Sequence, residues 1–84
     1  MGRSKATNSR LRQRVAHRLR DARLARGWSQ EQLAAALDVS TQSVSRYECG
    51  KLALSLDLLG RVARVFGTPI EVLVGEGPAG LAPE

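Results

Sequence analysis

The sequence predicts an all-α fold, a compact bundle of five short helices in one small domain. Three observations predict it. Apolar residues recur at helical spacing, as in Leu11, Val15, Leu19 and Ala22. Capping side chains stand just ahead of several of these stretches (Ser29, Ser40, Ser55, Thr68), and Gly27, Gly50, Gly67 and Gly75 stand just after them. No segment shows the two-residue alternation and turn spacing of strands. A chain of 84 residues holds one modest core.

Residues 1–9 (MGRSKATNS) are polar and basic and read as a disordered arm. The folded domain is expected over 10–74. Its first helix runs from about Arg10 to Arg26 and stops at Gly27. Trp28 and Leu33 form a hydrophobic staple and Ser29 with Gln32 a capping box, so a second helix covers 30–37. The turn is Asp38-Val39-Ser40. Asp38 falls where φ > 0 is expected, and Asp is among the few non-glycine residues that tolerate it. Ser40 caps a third helix over 41–48. After the loop from Lys51 to Leu54, Ser55 caps a fourth helix over 56–66. Its core face is expected to carry Leu56, Leu59, Ala63 and Phe66. Thr68-Pro69-Ile70-Glu71 is a helix start, with a cap, a proline at the first position and a glutamate three after the cap. The fifth helix covers 69–74, and 75–84 (GEGPAGLAPE) is a flexible tail.

Composition narrows the function. One cysteine excludes an intrachain disulfide and a cysteine-based zinc site, and it fits a reducing cytoplasm. No apolar run is long enough to span a membrane, and nothing resembles a secretory signal. His17 has no second ligand at metal spacing. No nucleophile–base grouping, phosphate-binding glycine loop or carboxylate pair is present, so neither an enzyme nor a cofactor is expected. The net charge of +5 is uneven. Residues 1–26 hold nine Arg or Lys against Asp21 alone, a net +8, and the remainder is −3. Such a concentration suggests a polyanionic partner.

The stretch 29–51 is the most informative. Leu33, Ala34, Leu37, Val39, Val44 and Tyr47 fall where two short helices joined by a tight turn bury side chains. Ala34 is the small residue that lets them cross closely. Gln42, Ser43, Ser45 and Arg46 are left on the outer face. A short helix with that face, backed by a crossing partner, is shaped for the major groove of double-stranded DNA. Gln42 and Arg46 are four apart and share a face. The Gln amide matches adenine N6 and N7, and the Arg fork matches guanine O6 and N7. Thr41 at the helix start can present its methyl to a thymine, and Ser45 lies beside it. Phosphate contacts need donors near helix N-termini, which puts forward Ser29, Gln30, Ser40, Ser43 and Lys51.

At this point the chain resembles the phage repressor/Cro-like (Xre-type) helix-turn-helix family. The resemblance rests on Arg23, W-S-Q-E-Q-L-A at 28–34, Val39-Ser40, V-S-R-Y-E-C-G-K at 44–51 and P-I-E-V-L near the end, and it covers about 12–74. It implies the lambda-repressor-like fold, with Gln30 and its cap at the phosphate backbone and Thr41, Gln42, Ser45 and Arg46 facing bases. It also implies an ion pair between Arg23 and Glu48, and dimers on operators with two-fold symmetry. Asp38 departs from the glycine usual in the family's turn. A homodimer through helices 4 and 5 is expected because Leu58, Val62, Val65, Val72 and Val74 exceed one core stripe. The leading expectation is a sequence-specific transcriptional regulator. The alternatives are an antitoxin-type protein-interaction module that also binds DNA, and a non-specific nucleic-acid coat.

Overall fold

A computed structural model describes the chain from Gly2 to Gly75, with side chains described from Arg10 onward. These residues form five helices and no strand: α1 (Gly2–Ala25), α2 (Gln30–Leu37), α3 (Thr41–Glu48), α4 (Leu56–Phe66) and α5 (Ile70–Val74). Helix α1 begins at Gly2, well ahead of the expected start near Arg10, so its backbone is helical through the segment read as an arm. Nothing there interrupts a helix, since no proline occurs and Arg3, Lys5 and Ala6 are good helix formers. The tail expected over 75–84 lies, beyond Gly75, outside the described residues.

Side-chain caps set the starts of the middle helices. Ser29 Oγ accepts from the Gln32 amide at 3.1 Å while the Ser29 amide donates back to Gln32 Oε1 at 2.8 Å, which is a complete capping box. Ser40 Oγ accepts from Ser43 N at 3.0 Å, and Ser55 Oγ from Leu58 N at 3.1 Å. The expected cap at Thr68 does not form. Pro69 is the N-cap of α5, no side chain caps it, and the Thr68 hydroxyl donates to Phe66 O instead. Thr68 is still held by the end of α4, where its amide donates to Ala63 O at 2.9 Å.

The turn between α2 and α3 needs a left-handed residue. Asp38 sits at φ 59°, where it is the only described non-glycine residue with positive φ. There the Val39 amide reaches Ala34 O at 3.0 Å and closes the end of α2. Aspartate carries both a Cβ cost in this conformation and a negative charge at the negative end of the helix. Asp38→Gly is therefore expected to stabilise the protein by about 0.5–1 kcal/mol. Chemical denaturation would show this as a raised midpoint, and an unchanged or lowered midpoint would refute it.

The core gathers Val15, Ala16 and Leu19 of α1, Leu33, Ala34 and Leu37 of α2, Val44 of α3, Leu58, Leu59 and Val62 of α4, and Leu73 of α5. Leu19, Leu33, Leu37 and Val44 are fully enclosed, each contributing about 1.5–3 kcal/mol of burial. Two faces differ from expectation. On α1 the buried stripe is Val15, Ala16, Leu19 and Arg23, while Leu11 is 40% exposed. On α4, Leu58 and Val62 lie in the core, whereas Leu56, expected inside, is 83% exposed. The α4 sequence is apolar at 56, 58, 59, 62, 63, 65 and 66, so more than one stripe satisfies helical spacing. Packing against α2 selects the stripe carrying Leu58 and Val62.

Candidate nucleic-acid interface

Helix α3 is held from both sides. Val44 is fully buried beneath it, and Tyr47 packs partly against the core. At its far end, Arg12 Nε of α1 donates to Gly50 O at 2.9 Å. Gly50 sits at φ 73°, a backbone conformation that L side chains rarely adopt, and a Cβ there would also make the end of the Gln13 side chain shift. Behind the turn, Arg61 Nη1 of α4 donates to Leu37 O at 2.7 Å, which satisfies a terminal carbonyl of α2.

The structure brings Arg23 and Glu48 together as a buried, two-pronged pair. Arg23 Nε donates to Glu48 Oε2 at 2.7 Å and Nη2 to Oε1 at 3.0 Å. The side chains are 10% and 3% exposed. Arg23 Nη1 also donates to Trp28 O at 2.8 Å, and Gln30 Nε2 donates to Glu48 Oε1 at 3.1 Å. The carboxylate hydrogen bond raises the Arg23 pKa above its ordinary value against the opposing pull of burial, so the guanidinium stays charged. One carboxylate at the end of α3 thus ties α1 and the start of α2 to the same point.

The outer face of α3 is open. Thr41, Gln42 and Arg46 are exposed, and Ser43 and Ser45 half-exposed, opposite buried Val44. Ser40 Oγ, having accepted the Ser43 amide, donates to Ser43 Oγ at 2.9 Å, which leaves the Ser43 proton to point elsewhere. Lys51 is exposed just beyond α3. At the start of α2, Ser29 is exposed and Gln30 half-exposed. The amides of Gln30 and Glu31 precede the first intrahelical bond, from Leu33 N to Ser29 O. The geometry presents amide, hydroxyl and guanidinium groups on one rigid helix, with donors at its flanks.

The basic segment also serves the chain's own structure. Much of it is used inside the chain. Arg14 Nη1 donates to Val74 O at 2.9 Å, and Arg18 Nη1 to Val72 O and Gly75 O at 2.6 Å each. Arg26 Nη2 reaches Val65 O at 3.2 Å and its guanidinium lies 5.3 Å from the Trp28 ring centre and 5.2 Å from that of Phe66. With Arg12 and Arg23, five arginines of α1 and the residue after it serve carbonyls or a carboxylate of their own protein. Helix ends carry partial negative charge and unpaired carbonyls, and cations are their natural partners. Composition registers the charge but not its destination. The Gln30–Glu48 bond and the caps from Arg12 and Arg61 escape sequence reasoning for the same reason, since each joins residues distant in the chain with no local signal.

A family model described as Helix-turn-helix matches residues 19–73, more than half of the chain. No curated protein and no solved structure matches it. No described helix is long and apolar enough to cross a membrane, and no described cluster of His, Cys, Asp or Glu suits a metal ion. With its capped α2, its left-handed turn and its clamped α3, the chain belongs to the lambda-repressor-like, Xre-type helix-turn-helix family of DNA-binding domains.

Proposed function

We propose that the protein is a sequence-specific transcriptional regulator that binds a two-fold symmetric operator as a homodimer and places α3 in the major groove. The observation that carries this reading is the exposed Gln42 and Arg46 face of a helix whose opposite face is immobilised by Val44 and Glu48. Thr41, Gln42, Ser45 and Arg46 are assigned to base edges. Ser29, Gln30, Ser40, Ser43 and Lys51 are assigned to phosphates, which they approach from the N-terminal ends of α2 and α3 and from the end of the reading helix. Bound dimers would act by occupancy, blocking or recruiting polymerase. Selection from random duplex DNA tests the reading. A palindromic consensus supports it, and equal retention of all sequences would make the protein a non-specific coat.

The dimer surface differs from the one argued from Leu58 and Val62, which are core residues. An open, largely apolar recess lies between α1, the loop before α4, and the end of α5, lined by Leu11, Val15, Leu54, Leu56, Leu59 and Val74, with Arg12 also in its wall. Leu56, at its wall, is 83% exposed. A patch holding both a knob and a hollow can pair with a second copy of itself about a two-fold axis. It keeps the proposed interface on the start of α4 and the end of α5. Leu56→Asp is expected to weaken self-association at least tenfold while leaving the helical circular dichroism spectrum intact, because Leu56 takes no part in the core. Sedimentation at several concentrations reads the effect, and an unchanged distribution would place the dimer elsewhere or nowhere.

A further inference from the structure

We infer that Glu48 is a positioning residue for DNA binding, acting through Gln30. The inference rests on the proposed phosphate role of Gln30. A carboxylate only accepts hydrogen bonds, so the Gln30 side chain must turn its NH2 group toward Glu48. The bond is made at 3.1 Å, to the same oxygen that Arg23 Nη2 holds at 3.0 Å. The Glu48 side chain is 3% exposed and is held by the two-pronged pair. Gln30 is the first residue of α2 and is half-exposed.

A glutamine amide has two ends of nearly equal shape and opposite polarity. A phosphate is also acceptor-only, and it is served by the N–H end alone. With one hydrogen of Nε2 committed to Glu48, the second hydrogen of the same nitrogen is the donor left for an acceptor outside the protein. The carbonyl end cannot exchange places with it without facing the carboxylate. The buried ion pair therefore does more than join α1 to α3. It sets the polarity of a side chain at the surface and removes that side chain's rotational freedom before DNA arrives.

Glu48→Ala alone is a poor test, because it strands Arg23. The informative variant is Arg23→Met/Glu48→Met, which removes both charges and keeps apolar volume, so that the fold is retained. It is compared with Gln30→Met and with the triple variant, each verified as folded by circular dichroism, on the selected duplex and on random duplex. Arg23→Met/Glu48→Met is expected to bind both duplexes about two- to tenfold more weakly, the cost of ordering one freed side chain. Its salt dependence should be unchanged, since no charge facing DNA is altered. In the Gln30→Met background the same pair of changes is expected to have no further effect. An equal loss in both backgrounds, or no loss in either, would overturn the positioning role and leave Glu48 purely structural. If Gln30→Met alone leaves affinity unchanged, the phosphate role beneath the inference is wrong and the inference falls with it.

Discussion

Glu48→Ala is expected to lower the melting temperature by at least about 12 °C. The change leaves Arg23 charged in a site where its side chain is 10% exposed, with the Trp28 carbonyl as its one remaining described partner. Stranding one member of a buried pair costs about 3–5 kcal/mol. For a domain of this size each kcal/mol is worth about 4 °C or more. Gln30 is also deprived of its acceptor, so the start of α2 loosens together with the end of α3. Replacing both ions by Met removes the stranded charge and should bring the melting temperature back to within a few degrees of the parent. The asymmetry is the diagnostic. If Glu48→Ala melted within about 2 °C of the parent, the pair would not be buried in solution. Because Glu48 raises the Arg23 pKa, the guanidinium contributes fully at every ordinary pH, and its share disappears only as pH rises past that raised value in strong alkali.

What can be read in advance follows from the range of the forces involved. Caps and turns are local. Ser29 with Gln32, Ser40 and Ser55 each need a particular side chain at a fixed offset from a backbone amide, and the sequence displays both. Asp38 is legible because so few residues enter the left-handed region. The faces of α2 and α3 are legible too, since their apolar residues allow a single inward stripe. Helix α4 is not, because its apolar residues satisfy two stripes and only the partner helix decides between Leu56 and Leu58. The start of α5 falls one position later than its sequence suggests, with Pro69 as the cap, since Thr68 is claimed by the end of α4. The arginines of α1 are the least legible. A cation bound to a carbonyl of α5 and one facing a phosphate look identical in composition. Arg14 and Arg18 are separated from their acceptors by most of the chain.

Arg46 and Lys51 should separate base reading from charge. Both are exposed at the outer end of α3, but they differ in what they can recognise. Arg46 lies on the helix, one turn from Gln42, and its planar fork can pair with the two acceptors of a guanine. Lys51 follows the helix, with its amide tied to Arg46 O at 3.0 Å. Its ammonium is a compact point charge that suits a phosphate oxygen beyond the end of the helix. Arg46→Ala is expected to cost about 1–3 kcal/mol per half-site on the selected operator, so a dimer is weakened by roughly the square of the single-site factor. The effect on random duplex should be far smaller, and the consensus selected by the variant should relax at one symmetric base pair. Gln42→Ala should relax a neighbouring pair. Lys51→Ala should weaken all duplexes by a similar factor. It should also flatten the slope of affinity against salt by roughly 0.9 for each phosphate no longer neutralised, or about twice that per dimer. None of these exposed changes should shift the melting temperature as Glu48→Ala does. Repeating the random-duplex selection with each variant reads the outcome directly. If Arg46→Ala returned the parental consensus with affinity reduced equally on every sequence, its guanidinium would be contacting phosphate, and base reading would rest with Gln42, Thr41 and Ser45 alone.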